Sequence, residues 1–212
     1  MNGPKILWRD QDLIAVEKPA GLLSHPSADP RRADLVSWLR AQVEAEQLVM
    51  HHRLDLETSG LLVLTLSKRA CAPLAQAFAE RRVAKTYLAW VSGSPPRQGR
   101  VDLALGEVKG RVKADRAGKV AVTDFVCQRQ AGLYALLQLK PLHGRKHQLR
   151  VHCKEQGWPI VGDVLYGGQA SGRLWLHAWK LGLAHPVTGE QLCLECPVPE
   201  DWRLLGGVLA DK

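Results

Sequence analysis

Residues 52–64 read His52-Arg53-Leu54-Asp55-Leu56-Glu57-Thr58-Ser59-Gly60-Leu61-Leu62-Val63-Leu64. The apolar run from Leu61 to Leu66 is bounded by Gly60 and Ser67 and is too short for a helix, so it predicts a buried strand. Asp55 then lies in a loop that feeds directly into the core. An aspartate beside an arginine in such a loop most often serves local backbone bonding. The other reading is a functional carboxylate, and the choice depends on what the rest of the chain supplies.

Upstream, Ile6 to Val16 alternates and ends in Lys18-Pro19-Ala20-Gly21, a strand entering a turn. From Asp34, the residues Leu35, Leu39 and Val43 recur at helical spacing, with Asp34 as N-cap. Downstream, Ser67 is placed to cap a helix that carries Leu74 and Phe78 on one face. Lys85 to Val91 is strand-like, and the Pro- and Gly-rich segment from Ser92 to Gly99 is a loop or a boundary between halves. Val101 to Val112 and Val120 to Gln128 show period-2 patterning, and Ala131-Gly132 is a hairpin turn into Leu133 to Leu139. Arg145 to Gly157 predicts a short helix with Leu149 and Cys153 on its inner face and the charged residues pointing elsewhere. Pro186-Val187-Thr188-Gly189 joins two late strands, Leu174 to Leu183 and Gln191 to Cys196.

The chain has 212 residues, 46% of them hydrophobic and 24% charged, which is ordinary globular composition with room for one core or two packed halves. Its net charge of +8 favours a polyanionic partner, because phosphate neutralisation drives non-specific nucleic-acid affinity. The cations cluster: Lys109, Arg111, Lys113, Arg116 and Lys119 in one stretch, Arg81, Arg82 and Lys85 in another, Arg145, Lys146 and Arg150 in a third. Five dispersed cysteines argue against a disulfide framework and fit a reducing cytoplasm. Cys193 and Cys196 have zinc or redox spacing but no second pair, and their odd offset in a strand sends them to opposite faces. No signal-type segment and no apolar run of membrane-spanning length is present, so the expectation is a soluble cytoplasmic protein.

Three further segments change the reading of Asp55. They are Lys18-Pro19-Ala20-Gly21-Leu22-Leu23-Ser24-His25-Pro26, the triplet Lys85-Thr86-Tyr87, and Gly144-Arg145-Lys146-His147-Gln148-Leu149-Arg150-Val151-His152. With the Asp55 stretch, in this order and spacing, they closely resemble the RluA-type family of RNA pseudouridine synthases, from about Ile6 to about Pro199. The resemblance implies an α/β (α+β) fold: a bent, mostly antiparallel mixed sheet flanked by helices. It would form one catalytic domain over 1–212, made of two closely packed halves with a boundary near 92–100.

The resemblance also implies roles. Asp55 is the carboxylate that acts on the ribose, by direct attack or by starting an elimination, and Arg150 is the guanidinium that orients it and favours its ionised form. Tyr87 stacks on the target base, its hydroxyl within reach of the base edge, and Leu149 is the apolar residue on the other side. Arg53 enters the RNA stack when the target nucleotide is everted. His52, Thr58, Lys85, Arg145 and His147 complete the candidate substrate-binding set. Gly162-Asp163-Val164-Leu165-Tyr166-Gly167 and Leu176-His177-Ala178 also match the family and read as scaffold. Glu17, Ser24 and His143 depart from the usual residues at their positions.

Exchanging an N1–C1′ bond for a C5–C1′ bond needs no redox step or energy input, so no metal and no cofactor is implied. The family-like region starts at Ile6, and the expectation is a compact monomer that chooses its substrate, an rRNA or tRNA stem-loop, through the catalytic domain itself. Two other readings compete. One is a metal-dependent phosphodiesterase with His52, Asp55, His147 and His152 as ligands. The other is a catalytically silent RNA binder of the same fold.

Overall fold

The computed structural model describes residues 3–29 and 31–204, so the ends of the 1–212 domain reading lie outside the described residues. The chain forms two compact units: one holds the chain up to Thr86 together with Ala178–Cys196, the other Tyr87–His177 and the chain from Pro197. The segment near 92–100 falls within the second unit.

In the first unit, β1 (Lys5–Arg9), β2 (Leu13–Lys18), β4 (Ser59–Thr65) and β11 (Leu176–Ala184), the last from Ala178 onward, are neighbours in that order. The two-residue β3 (Val49–Met50) pairs with β4, and β12 (Gln191–Glu195) pairs with β11. Every residue of β4 is buried, as the unbroken apolar run predicts. Its neighbour is equally close on the other edge: a side chain at Gly60, whose φ is +118°, would collide with the backbone of Ala178. Leu13, Ala15, Leu61, Val63, Leu181 and Leu183 pack against α2 (Lys68–Ala79) through Ala70 and Leu74. In the second unit, β5 (Ala84–Ser92) from Tyr87 onward, β10 (Tyr134–Pro141), β9 (Val122–Ala131) and β6 (Gln98–Asp102) form the sheet, with the hairpin β7 (Leu105–Val108) and β8 (Arg111–Ala114) beside it. The fold class is α+β with mostly antiparallel strands, as the sequence resemblance implies.

Three local expectations are corrected. Ile6 to Val16 is not one strand but the β1/β2 hairpin, turned at residues 10–12 because the Asp10 carboxylate accepts the N–H groups of Asp12 and Leu13, both at 2.7 Å. Val101 to Val112 is likewise divided, the chain reversing at Lys109-Gly110, both with positive φ. Ser67 does stand at the N-cap of α2, but its hydroxyl bonds Asp12 at 2.6 Å rather than a helix N–H. Asp12 is 1% exposed and also takes a bidentate grip from Arg69, which holds its carboxyl below the usual range. The predicted cap of α1 (Leu35–Arg40) is present: Asp34 accepts the Ser37 N–H at 2.9 Å.

Two thiols are sealed in. Cys153 in the second unit and Cys196 in the first are 1% and 0% exposed, and burial pushes both pKa values up, whereas Cys193 is exposed.

His52 closes the first unit near the Asp55 loop. Its Nε2 accepts the Val63 N–H at 3.0 Å, and its ring stacks on Phe78 of α2 with centroids 4.6 Å apart. Burial, with Lys85 and His51 adding positive charge, pushes its pKa from 6.5 to about 3. The folded protein therefore keeps this ring neutral where the unfolded chain would protonate it. The unfolded state binds more protons between those two values, so the ring's contribution is full above pH 6.5 and is lost as pH falls towards 3. The slope is up to about 1.4 kcal/mol per pH unit. Urea unfolding at pH 7, 6 and 5 should show stability falling over this range, and His52→Gln, which keeps an acceptor, should flatten the dependence. Equal slopes for the two proteins would mean that His52 protonates freely in the folded state.

Candidate active site

The candidate residues divide evenly between the units. His52, Arg53, Asp55, Thr58 and Lys85 belong to the first, and Tyr87, Arg145, His147, Leu149 and Arg150 to the second.

In the first unit, Asp55 is partly buried in the loop ahead of β4, as expected. What the sequence reading did not anticipate is how tightly the backbone on each side of it is pinned. On one side, Ser24 Oγ donates to the Leu54 carbonyl at 2.8 Å and accepts the Leu54 N–H at 3.2 Å. On the other, the Leu56 carbonyl accepts both the Gly21 N–H at 2.9 Å and the Lys18 ammonium at 3.1 Å. Lys18 has 0% exposure and also donates to the carbonyls of Pro19 and Leu22 at 2.9 and 2.8 Å. The Thr58 N–H returns to the Asp55 carbonyl at 3.1 Å, and Thr58 is itself buried. Ser24, a departure from the usual family residue, thus has a definite task. The aspartate is carried on a loop whose neighbours cannot drift, which is what a reacting group requires. Arg53, two residues before it, is exposed. Lys85 is partly buried, and burial lowers its pKa.

In the second unit, Tyr87 lies on β5 opposite Leu139 of β10 and is partly exposed, while Leu88 to Val91 after it are buried. The helix predicted over Arg145 to Gly157 is shorter, α3 (Gln148–Glu155), because His147 at its start adopts a left-handed φ of +51°. The loop before it is tied to the strand wall. Gln148 donates to the Val122 carbonyl and to Thr123 Oγ1, both at 3.0 Å, Arg145 Nε donates to the Val120 carbonyl at 3.1 Å, and His143 Nδ1 accepts the Val122 N–H at 3.1 Å.

Leu149 and Cys153 are buried as expected, but the charged residues of α3 do not all point away: Arg150 and His152 are 3% and 1% exposed. Partners make this possible. Arg150 donates through Nε and Nη2 to Asp163 at 2.8 and 2.7 Å, and the two nitrogens of His152 engage Thr123 Oγ1 at 2.9 Å and the Leu103 carbonyl at 3.2 Å. Asp163, in a segment that reads as scaffold from the sequence, is the partner that lets Arg150 be buried. Its signal was the Gly162-Asp163-Val164-Leu165-Tyr166-Gly167 segment.

These bonds count against the metal-hydrolase alternative, since both nitrogens of His152 and Nε2 of His52 are engaged within the protein. Among the described residues no cluster of three or more His, Cys, Asp or Glu side chains converges.

A sequence model of the family described as RNA pseudouridylate synthase matches residues 12–155. The chain is 39% identical over 203 residues to the dual-specificity RNA pseudouridine synthase RluA of Escherichia coli (strain K12), covering 91% of this chain and 92% of that protein. To tRNA pseudouridine synthase C of Pectobacterium carotovorum subsp. carotovorum it is 36% identical over 229 residues, covering 94% of this chain but 60% of that longer protein. Among solved structures, human RNA Pseudouridylate Synthase Domain Containing 1 superposes with a TM-score of 0.78 at 30% identity, over 92% of this chain and 84% of that one. The pinned aspartate loop, the antiparallel α+β fold and these matches agree, and the chain belongs to the RluA-type RNA pseudouridine synthases, isomerases that convert uridine in RNA to pseudouridine.

Proposed function

We propose that Asp55 is the carboxylate through which this enzyme isomerises a specific uridine in a structured loop of rRNA or tRNA. The observation that carries this reading is the pinning of Leu54 and Leu56 on either side of it. The N1–C1′ bond breaks, the detached uracil turns, a C5–C1′ bond forms, and the C5 proton leaves as N1 regains one. Asp55 acts on the ribose, and Arg150 supplies a guanidinium to the reaction. Tyr87 offers its face to the base and its hydroxyl to the base edge, with Leu149 as the apolar counterpart. Arg53, exposed beside the loop, takes the place of the everted nucleotide in the RNA stack. His52, Thr58, Lys85, Arg145 and His147 complete the substrate-binding set. The enzyme works as a cytoplasmic monomer, and among the described residues no helix is long and apolar enough to cross a membrane.

Asp55→Asn keeps the size of the side chain and removes the reactive carboxylate. Tritium release from uridine labelled at C5 should fall by on the order of 10⁴-fold or more, while a gel shift with substrate RNA persists. Substantial residual turnover would remove Asp55 from the chemistry.

For Tyr87, the ring and the hydroxyl can be tested separately. Tyr87→Phe should lower turnover by about 10²–10⁴-fold, the range for loss of a positioned proton-transfer group, with RNA binding close to normal. Tyr87→Leu should weaken binding as well, by about 1–3 kcal/mol for the lost stacking. If both variants turned over like wild type, Tyr87 would be a packing residue.

The cations of the β7–β8 region, Lys109, Arg111, Lys113, Arg116 and Lys119, are all exposed, a disposition suited to RNA backbone. Affinity for a stem-loop bearing the target uridine should therefore drop with salt, by about 0.7 to 0.9 log units per log unit of salt for each phosphate neutralised. The stem-loop should be turned over as well as full-length deproteinised RNA. Modification confined to precursor particles would show that loop recognition alone is not enough.

A further inference from the structure

Arg150 is a buried cation with unusually complete restraint. Asp163 grips its Nε–Nη2 edge through two in-plane bonds of 2.8 and 2.7 Å, and the ring of Tyr166 lies 5.2 Å from its guanidinium carbon. A planar group held along one edge and covered on one face loses rotation about its terminal bonds.

The restraining groups are themselves fixed. Asp163 is 1% exposed, and its carboxylate accepts the Tyr166 N–H at 3.3 Å while its carbonyl accepts the N–H groups of Tyr166 and Gly168 at 3.0 and 2.8 Å. The Tyr166 hydroxyl lies 2.8 Å from Nδ1 of His147, the left-handed residue that starts the helix bearing Arg150. A closed circuit results, running from His147 through α3 to Arg150, across to Asp163, along the short turn to Tyr166 and back. Glycine is required at its shoulder, because a side chain at Gly162 would run into the carbonyl of Arg173.

Charge neutralisation alone does not explain this arrangement. A nearby carboxylate would suffice for that, and an apolar residue at position 150 would fill the space with no desolvation cost at all. What the circuit adds is a fixed plane and a fixed direction for the guanidinium.

We propose that Asp163 and Tyr166 are positioning residues for the isomerisation, holding the Arg150 guanidinium in the one orientation in which it serves the reaction. The proposal rests on the reading of Arg150 given above, and the experiment separates the two. In single-turnover assays at saturating enzyme, Asp163→Asn should slow the chemical step by about 10- to 100-fold, the effect of a displacement of about 1 Å in a reacting group, with KM unchanged. In an Arg150→Gln background the same change should cost nothing further in rate. It should also raise the thermal midpoint above that of Arg150→Gln alone, because it removes the unpaired buried carboxylate. Arginine labelled with ¹⁵N gives a readout independent of activity: the Arg150 Nε–H signal should exchange slowly in wild type and lose that protection in Asp163→Asn.

If Arg150→Gln is slow but Asp163→Asn turns over at the wild-type rate, the positioning role is wrong and the reading of Arg150 stands. The role is also wrong if Asp163→Asn slows the Arg150→Gln enzyme as much as it slows the wild type. If Arg150→Gln itself turns over normally, the reading of Arg150 fails and the proposal with it. Should Asp163→Asn not fold, the Tyr166 variants decide. Tyr166→Phe keeps the ring beneath the guanidinium and should stay within a few-fold of wild type, whereas Tyr166→Leu should lose about tenfold in rate at constant KM. Wild-type turnover in Tyr166→Leu would overturn the proposal.

Discussion

A lysine with no exposed surface must spend its three protons inside the protein, and Lys18 spends them on backbone carbonyls. The three carbonyls belong to Pro19, Leu22 and Leu56, so one ammonium joins the turn that follows β2 to the loop that carries Asp55. Leaving such acceptors unpaired in the interior would cost roughly 1–3 kcal/mol each, which makes the two loops one object in practice. Gly21 adds a backbone bond to the same Leu56 carbonyl, and Ser24 secures Leu54 from the same turn. The Lys18 to Pro26 stretch is therefore a clamp on the Asp55 loop.

The second unit solves a related problem with different materials. Its buried cation is Arg150, and the neutralising oxygens come from a side chain, Asp163, instead of from carbonyls. The choice follows from shape. A compact ammonium suits a ring of carbonyls, whereas a planar fork is held best by a carboxylate along its edge. In each unit the cost of burying charge is offset by hydrogen bonds that also fix the groups around it.

Much of this was legible in the sequence. The buried β4 follows from an apolar run between Gly60 and Ser67, the α1 cap from Asp34, and the β9/β10 hairpin from Ala131-Gly132, whose glycine takes φ +59°. Features set by a single side-chain bond were not. The Asp10 turn splits a run that alternates convincingly as one strand, and the reach of Ser67 to Asp12 depends on residues 55 apart in the chain. The same holds for the site. Motif matching picked out Asp55, Tyr87 and Arg150, but the burial of Arg150 requires Asp163, which lies 13 residues away, beyond the reach of helical periodicity.

The sealed thiols have a practical consequence. A thiol whose pKa is raised and whose sulfur meets no solvent reacts only when its surroundings open. Because Cys196 belongs to the first unit and Cys153 to the second, each is a native clock for the unit that encloses it. In a variant carrying serine at Cys71, Cys127 and Cys193, the rate at which each remaining sulfur takes up an alkylating reagent would report how often its own unit opens. The two rates would reveal whether the halves of the enzyme breathe together or apart, and whether bound RNA slows one opening more than the other.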